Sequence, residues 1–149
     1  LIPNSGIVST NDLVYPYEYD EIHPRRKKEV GERLSYLALN RTYGMGYLPF
    51  EGPRFKSYEI RGGEIEVAFH NGERGFSPWH DIVGFEIAGE DKVFHPAEIR
   101  RGTQLNTVIV KSDKVPAPVA VRYCFRDFQI GNFTGQRCLP VIPFRTDNW

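Results

Sequence analysis

Apolar residues recur at helical spacing in only one stretch of this chain. Val30, Leu34, Leu37 and Ala38 fall at i, i+4, i+7 and i+8, an amphipathic stripe. Pro24, just after His23, stands where a first helical residue belongs. Arg41 falls in the last turn and Gly44 just beyond, both stop signals. Lys27, Lys28, Glu29, Glu32 and Arg33 are expected to face water. Gly31 is a mild flaw, costing on the order of 1 kcal/mol relative to Ala.

From about Tyr47 the pattern changes to a period of two. Ile65, Val67 and Phe69 alternate with Glu64, Glu66 and Ala68, after a turn at Arg61-Gly62-Gly63-Glu64. Val83, Phe85 and Ile87 alternate again, ending at Gly89-Glu90-Asp91. Thr107 to Lys111 and Val119 to Phe125 are β-branched or aromatic runs, with Pro116 and Pro118 breaking the chain between them. Even spacing without a second helix predicts an antiparallel β-sandwich of about 100 residues. Ahead of the helix, Gly6 to Thr10 reads as a short buried strand and Asn11 to Glu21 as a polar, Tyr-rich loop. Strand, loop and helix make half of a βαβ unit, whose neighbouring strands are expected upstream of Leu1.

Composition narrows the function classes. The 149 residues are 40% hydrophobic and 26% charged, enough for a packed core. Lys+Arg and Asp+Glu are both 19, so the basic excess of a phosphate-neutralising nucleic-acid binder is missing. No apolar run approaches the roughly 18–20 residues that span a bilayer, so no membrane partner is expected. The chain opens with Leu1-Ile2-Pro3, neither an initiator Met nor a signal peptide, and is expected to be a piece of something longer.

Asp20-Glu21-Ile22-His23-Pro24 is the string that carries most chemistry. It follows a strand and precedes a helix, the carboxyl edge of an α/β sheet, where ligand chemistry collects. An Asp three residues before a His can reach its Nδ1, fix the tautomer and leave Nε2 as a general base. The plainer reading is a surface His at a helix start. His23, His70, His80, His95, Cys124 and Cys138 show no metal-ligand spacing. The two cysteines could pair in an oxidising compartment or stay free. Asn40-Arg41-Thr42 and Asn132-Phe133-Thr134 are sequons that matter only in a secretory protein. Tyr15, Tyr17, Tyr19, Phe76, Trp79 and Trp149 are candidates for a carbohydrate platform, whereas Phe55, Phe69, Phe85 and Tyr123 belong to the core. The Gly72–His80 loop, with Phe76 and Trp79, is expected to dock on a neighbouring domain or touch a ligand.

Several segments, in order, resemble one family. They are Ile2-Pro3-Asn4-Ser5-Gly6-Ile7-Val8, Ile22-His23-Pro24-Arg25-Arg26-Lys27 and Val30-Gly31-Glu32-Arg33-Leu34. Later come Gly84-Phe85-Glu86-Ile87-Ala88-Gly89, Pro118-Val119-Ala120-Val121-Arg122-Tyr123, Leu139-Pro140 and Pro143-Phe144-Arg145-Thr146-Asp147. The succession spans nearly the whole chain. It resembles the C-terminal portion of sialate O-acetylesterases, members of the SGNH (GDSL-like) hydrolase superfamily.

The resemblance implies an α+β fragment in two parts. Residues 1–46 would be the last strand, catalytic loop and last helix of the α/β hydrolase domain. Residues 47–149 would be the antiparallel β-sandwich accessory domain. His23 falls on the family's catalytic His and Asp20 on the superfamily's acid, with Glu21 or Asp12 as alternatives for orienting His23. The family's nucleophilic Ser block and oxyanion-hole blocks have no counterpart here, and Asn4-Ser5-Gly6 is not that block. The implied partners are an O-acetylated sugar and the missing N-terminal part of the hydrolase domain, on the same polypeptide or a second chain. No metal or organic cofactor is implied, and the compartment would be secreted, periplasmic or lysosomal. Alone, the chain is expected to be inactive. The competing expectation is a non-catalytic carbohydrate-binding or interdomain docking module. The Gly131-Asn132-Phe133 loop is a candidate for extra substrate contacts.

Overall fold

The computed structural model describes residues 2–135 and 137–149. Among the described residues, one α-helix, α1 (Lys27–Arg41), precedes ten short strands. These are β1 (Arg54–Arg61), β2 (Glu64–His70), β3 (Phe76–Ser77), β4 (Phe85–Ala88) and β5 (His95–Pro96). Then come β6 (Glu98–Arg101), β7 (Thr107–Lys111), β8 (Ala120–Tyr123), β9 (Thr134–Gly135) and β10 (Phe144–Arg145). The molecule is mostly β, with antiparallel sheets ordered β1-β2-β7-β6, β10-β8-β4-β5 and β3-β9.

Alternation puts the strands where they are. Ile65, Val67 and Phe69 of β2 point inward with Val108 and Val110 of β7. Phe85 and Ile87 of β4 join Val121 and Tyr123 of β8. Both sheets feed the same core cluster, so burial is shared rather than divided. The β1–β2 hairpin turns at Gly62, whose φ of 62° lies in the left-handed region that glycine adopts without strain.

Three sequence expectations are corrected. The Gly6–Thr10 segment forms no strand, and Gly6, Ile7 and Thr10 are exposed. A strand needs a neighbour to bond to, and none of the described residues pairs with it. The helix begins at Lys27 rather than Pro24. The Arg25 N–H is already donated to the Glu18 side chain, so the chain there belongs to the preceding loop. The helix also presents a different face: Arg33 is buried, and Leu34 is 47% exposed. Arg33 is drawn inward by an ion pair with Asp12, described below.

The aromatic side chains of the Gly72–His80 loop turn inward, while Glu73, Arg74, Ser77 and His80 stay exposed. Phe76 is buried in β3, stacked on Phe133 at 4.8 Å and edge-on to Phe69 at 5.3 Å. Trp79 packs edge-on against Phe133 at 5.6 Å, with the Arg101 guanidinium 5.0 Å from its ring centre. These aromatics therefore join the chain's own core, and the expected docking or ligand role of this loop is not needed to explain them. Two backbone hydrogen bonds tie the C-terminal loops back to earlier segments. The Gly131 N–H donates to the Asn11 carbonyl at 3.1 Å, and the Ile142 N–H to the Pro53 carbonyl at 2.9 Å.

Candidate functional site

The loop that carries His23 is built around one carboxylate. Pro16–Glu18 is a single 3-10 turn, with Pro at its first position. Glu18 lies three residues past Tyr15 and reaches back to it, as a glutamate at the third helical position does. Its Oε2 accepts the Tyr15 N–H at 2.8 Å, and its Oε1 accepts the Arg25 N–H at 2.9 Å. Glu18 is buried, with 2% of its surface exposed. The Arg25 side chain closes the loop a second time: its Nε is 3.9 Å from Glu18 Oε1, and its guanidinium lies 5.4 Å from the Tyr17 ring centre. Tyr17 in turn stacks on Tyr15, centroids 5.3 Å apart and planes 6° apart.

A second set of contacts fixes the loop to the helix. Arg33 donates through Nη1 and Nη2 to the two carboxylate oxygens of Asp12, at 2.7 and 2.5 Å. The same Nη1 reaches the Ser9 carbonyl at 2.7 Å. Arg26 donates to the Asp12 carbonyl at 3.2 Å and, through Nε and Nη2, to Glu29 at 2.9 and 2.8 Å. Its Glu29 hydrogen bond holds the Arg26 guanidinium above its ordinary pKa and the Glu29 carboxyl below its own.

His23 stands in the short span between these anchors. It is exposed, as are Asp20 and Glu21. Among the described residues, no hydrogen bond or ion pair joins His23 to Asp20, Glu21 or Asp12. Asp12 is committed to Arg33. Asp20 and Glu21 are the exposed acids near His23 in sequence. A cleft of about 480 Å³ runs along the preceding segment, lined by Val8, Asn11, Val14, Phe128 and Ile142, but His23 does not line it.

Other candidate residues are accounted for by the fold. Asn132 accepts the Val83 N–H at 2.9 Å and donates to the Asp81 carbonyl at 2.7 Å, while Phe133 is fully buried. That loop is a staple for residues 81–83. Asn40 donates to the Leu48 carbonyl at 2.8 Å. Cys124 and Cys138 are both free. Burial pushes the Cys124 thiol up to about 11. Among the described residues, no group of three or more His, Cys, Asp or Glu side chains could hold a metal ion. No described helix is long and apolar enough to cross a membrane. Of the aromatic platform candidates, Tyr15, Tyr17, Tyr19 and Trp149 are exposed, and Trp149 sits under the Lys92 ammonium at 5.1 Å.

Sequence reasoning passed over Glu18 and expected Arg33 to face water, whereas both are buried. The spacing Tyr15-Pro16-x-Glu18 was a readable turn signal. Nothing local marked Arg33, whose partner is 21 positions away.

No protein-family model matches this sequence, and no curated protein matches it. Among solved structures, the chain is similar to the crystal structure of a novel carbohydrate acetylesterase from Xanthomonas citri. The match covers 93% of this chain at 38% sequence identity, with a TM-score of 0.80. This chain is related to a carbohydrate acetylesterase. It spans 31% of that protein's length, so the neighbour carries much that this chain does not.

Proposed function

We propose that this chain is the His-bearing C-terminal part of a carbohydrate O-acetylesterase of the SGNH type, with sialic acids as the substrate class to test first. The observation that carries the reading is the match itself: 38% identity across 93% of this chain but 31% of the acetylesterase. A Ser on the remaining part of the enzyme, deprotonated by His23, would attack the acetyl carbonyl. The sugar hydroxyl leaves with the proton held on the imidazole, and the acetyl group remains on the Ser as an ester. Water deprotonated by His23 then attacks that ester and releases acetate. Asp20 or Glu21 would orient the imidazole. The chemistry calls for no metal and no organic cofactor. Without a nucleophile, the isolated chain would be inactive.

Surface composition supports the same reading. Ile2, Ile7 and Ile22 are 78%, 90% and 85% exposed, and Leu34, Tyr36, Tyr43 and Tyr47 are also uncovered. Apolar side chains left exposed along residues 2–47 fit a surface that another part of a hydrolase domain covers.

The test is His23→Ala in the longer protein that carries the Ser. Loss of the general base should lower kcat for acetate release by about a thousandfold or more. Retention of full activity would exclude His23 as the base.

The stacked and partly exposed Tyr15–Tyr17 pair favours a second reading, a sugar-binding module without catalysis. Saturable quenching of tyrosine fluorescence by sugar, with no acetate release from the longer protein, would select it.

A further inference from the structure

We infer that Glu18 is the positioning residue for His23, an inference that rests on the reading of His23 as the base. The argument begins with what the loop lacks. His23 has no side-chain partner among the described residues, so its place depends on the backbone that presents it. That backbone runs between Tyr15 and Arg25, and both of their N–H groups end on the two oxygens of one buried carboxylate. One side chain therefore closes an eleven-residue loop by its two ends.

The closure is reinforced on the solvent side. Arg25 pairs with Glu18 at 3.9 Å and covers Tyr17, and Tyr17 stacks on Tyr15. On the far side of Arg25, Arg26 ties the chain to Asp12 and Glu29. His23 is thus two residues from a fixed point on its C-terminal side. The Asp12 carboxylate faces Arg33 and takes no part in the closure.

Geometry explains why a glutamate is needed. Two N–H donors approach Oε1 and Oε2 separately, so both oxygens must be acceptors. A glutamine offers one acceptor and sets its NH₂ against the second donor. An aspartate keeps both acceptors on a side chain one methylene shorter. A base displaced by about 1 Å can lose on the order of a hundredfold in rate, because reacting atoms must meet within hydrogen-bond distance.

The experiment uses the longer protein and compares wild type, His23→Ala, Glu18→Gln and Glu18→Asp in acetate release. The expected result for Glu18→Gln is a kcat lowered about ten- to a hundredfold, with KM within about twofold and the His23 limb of the pH profile unshifted. That pattern separates a misplaced base from a weakened substrate site or an altered imidazole pKa. Where Glu18→Gln does not fold, Glu18→Asp carries the same kinetic comparison. Hydrogen exchange on the wild type supplies a second check, since the Tyr15 and Arg25 amides should both be protected. Full kcat in the Glu18 variants beside an inactive His23→Ala overturns the role of Glu18 alone, as does free exchange at both amides. An active His23→Ala overturns the reading of His23 and this inference with it.

Discussion

Glu66 and Asp147 are carboxylates that the fold has taken out of water and then supplied with donors. Burial alone would raise the Glu66 pKa, but the N–H and hydroxyl of Thr103, the Thr107 hydroxyl and the nearby Arg61 hold it below its ordinary value. Asp147 accepts two hydrogen bonds from Arg122, at 2.8 and 2.6 Å, and its pKa is lowered chiefly by them. A carboxylate whose pKa is lower when folded contributes stability that is present above its unfolded pKa. That stability is lost as pH falls through the folded value. Both groups therefore predict falling stability on acidification below the ordinary carboxylate range. Asp147→Asn should cost about 3 kcal/mol near neutral pH, because it strands a half-buried guanidinium. It should also flatten the acid limb of a plot of urea-unfolding free energy against pH. An unchanged midpoint at neutral pH would contradict this assignment.

At the scale of elements, legibility followed how local the cause was. The β2 and β7 strands were readable because Ile65, Val67, Phe69 and the Thr107–Lys111 run state their own alternation. The two-residue strands β3, β5, β9 and β10 are too short for a period, and only pairing defines them. The helix was legible, but its buried face was not. A stripe drawn through apolar residues misses Arg33, which is buried by charge pairing with a distant Asp. The Asp20–His23 string was visible in the sequence, whereas the Glu18 bonds that shape its loop depend on Arg25 seven positions on. Arg33→Met tests the helix's attachment. It leaves Asp12 without its partner and frees the Ser9 carbonyl, at an expected cost of about 2 kcal/mol in thermal or urea unfolding. Stability equal to wild type would show that the helix is held by other contacts.

The whole molecule combines one shared core with apolar side chains left in water. The sheets feed that core, while Ile2, Ile7, Ile22 and Leu34 near the N-terminus are exposed, as are Ile60, Val93 and Leu105 further on. This chain matches 31% of an acetylesterase's length, and the proposal made above assigns the nucleophile to the remainder. The direct measurement is acetate release from an O-acetylated sialic acid by this chain alone, beside the longer protein that includes the upstream region. The account predicts no turnover by the chain alone and turnover by the longer protein that His23→Ala abolishes. Turnover by the chain alone, or none by either, would contradict it.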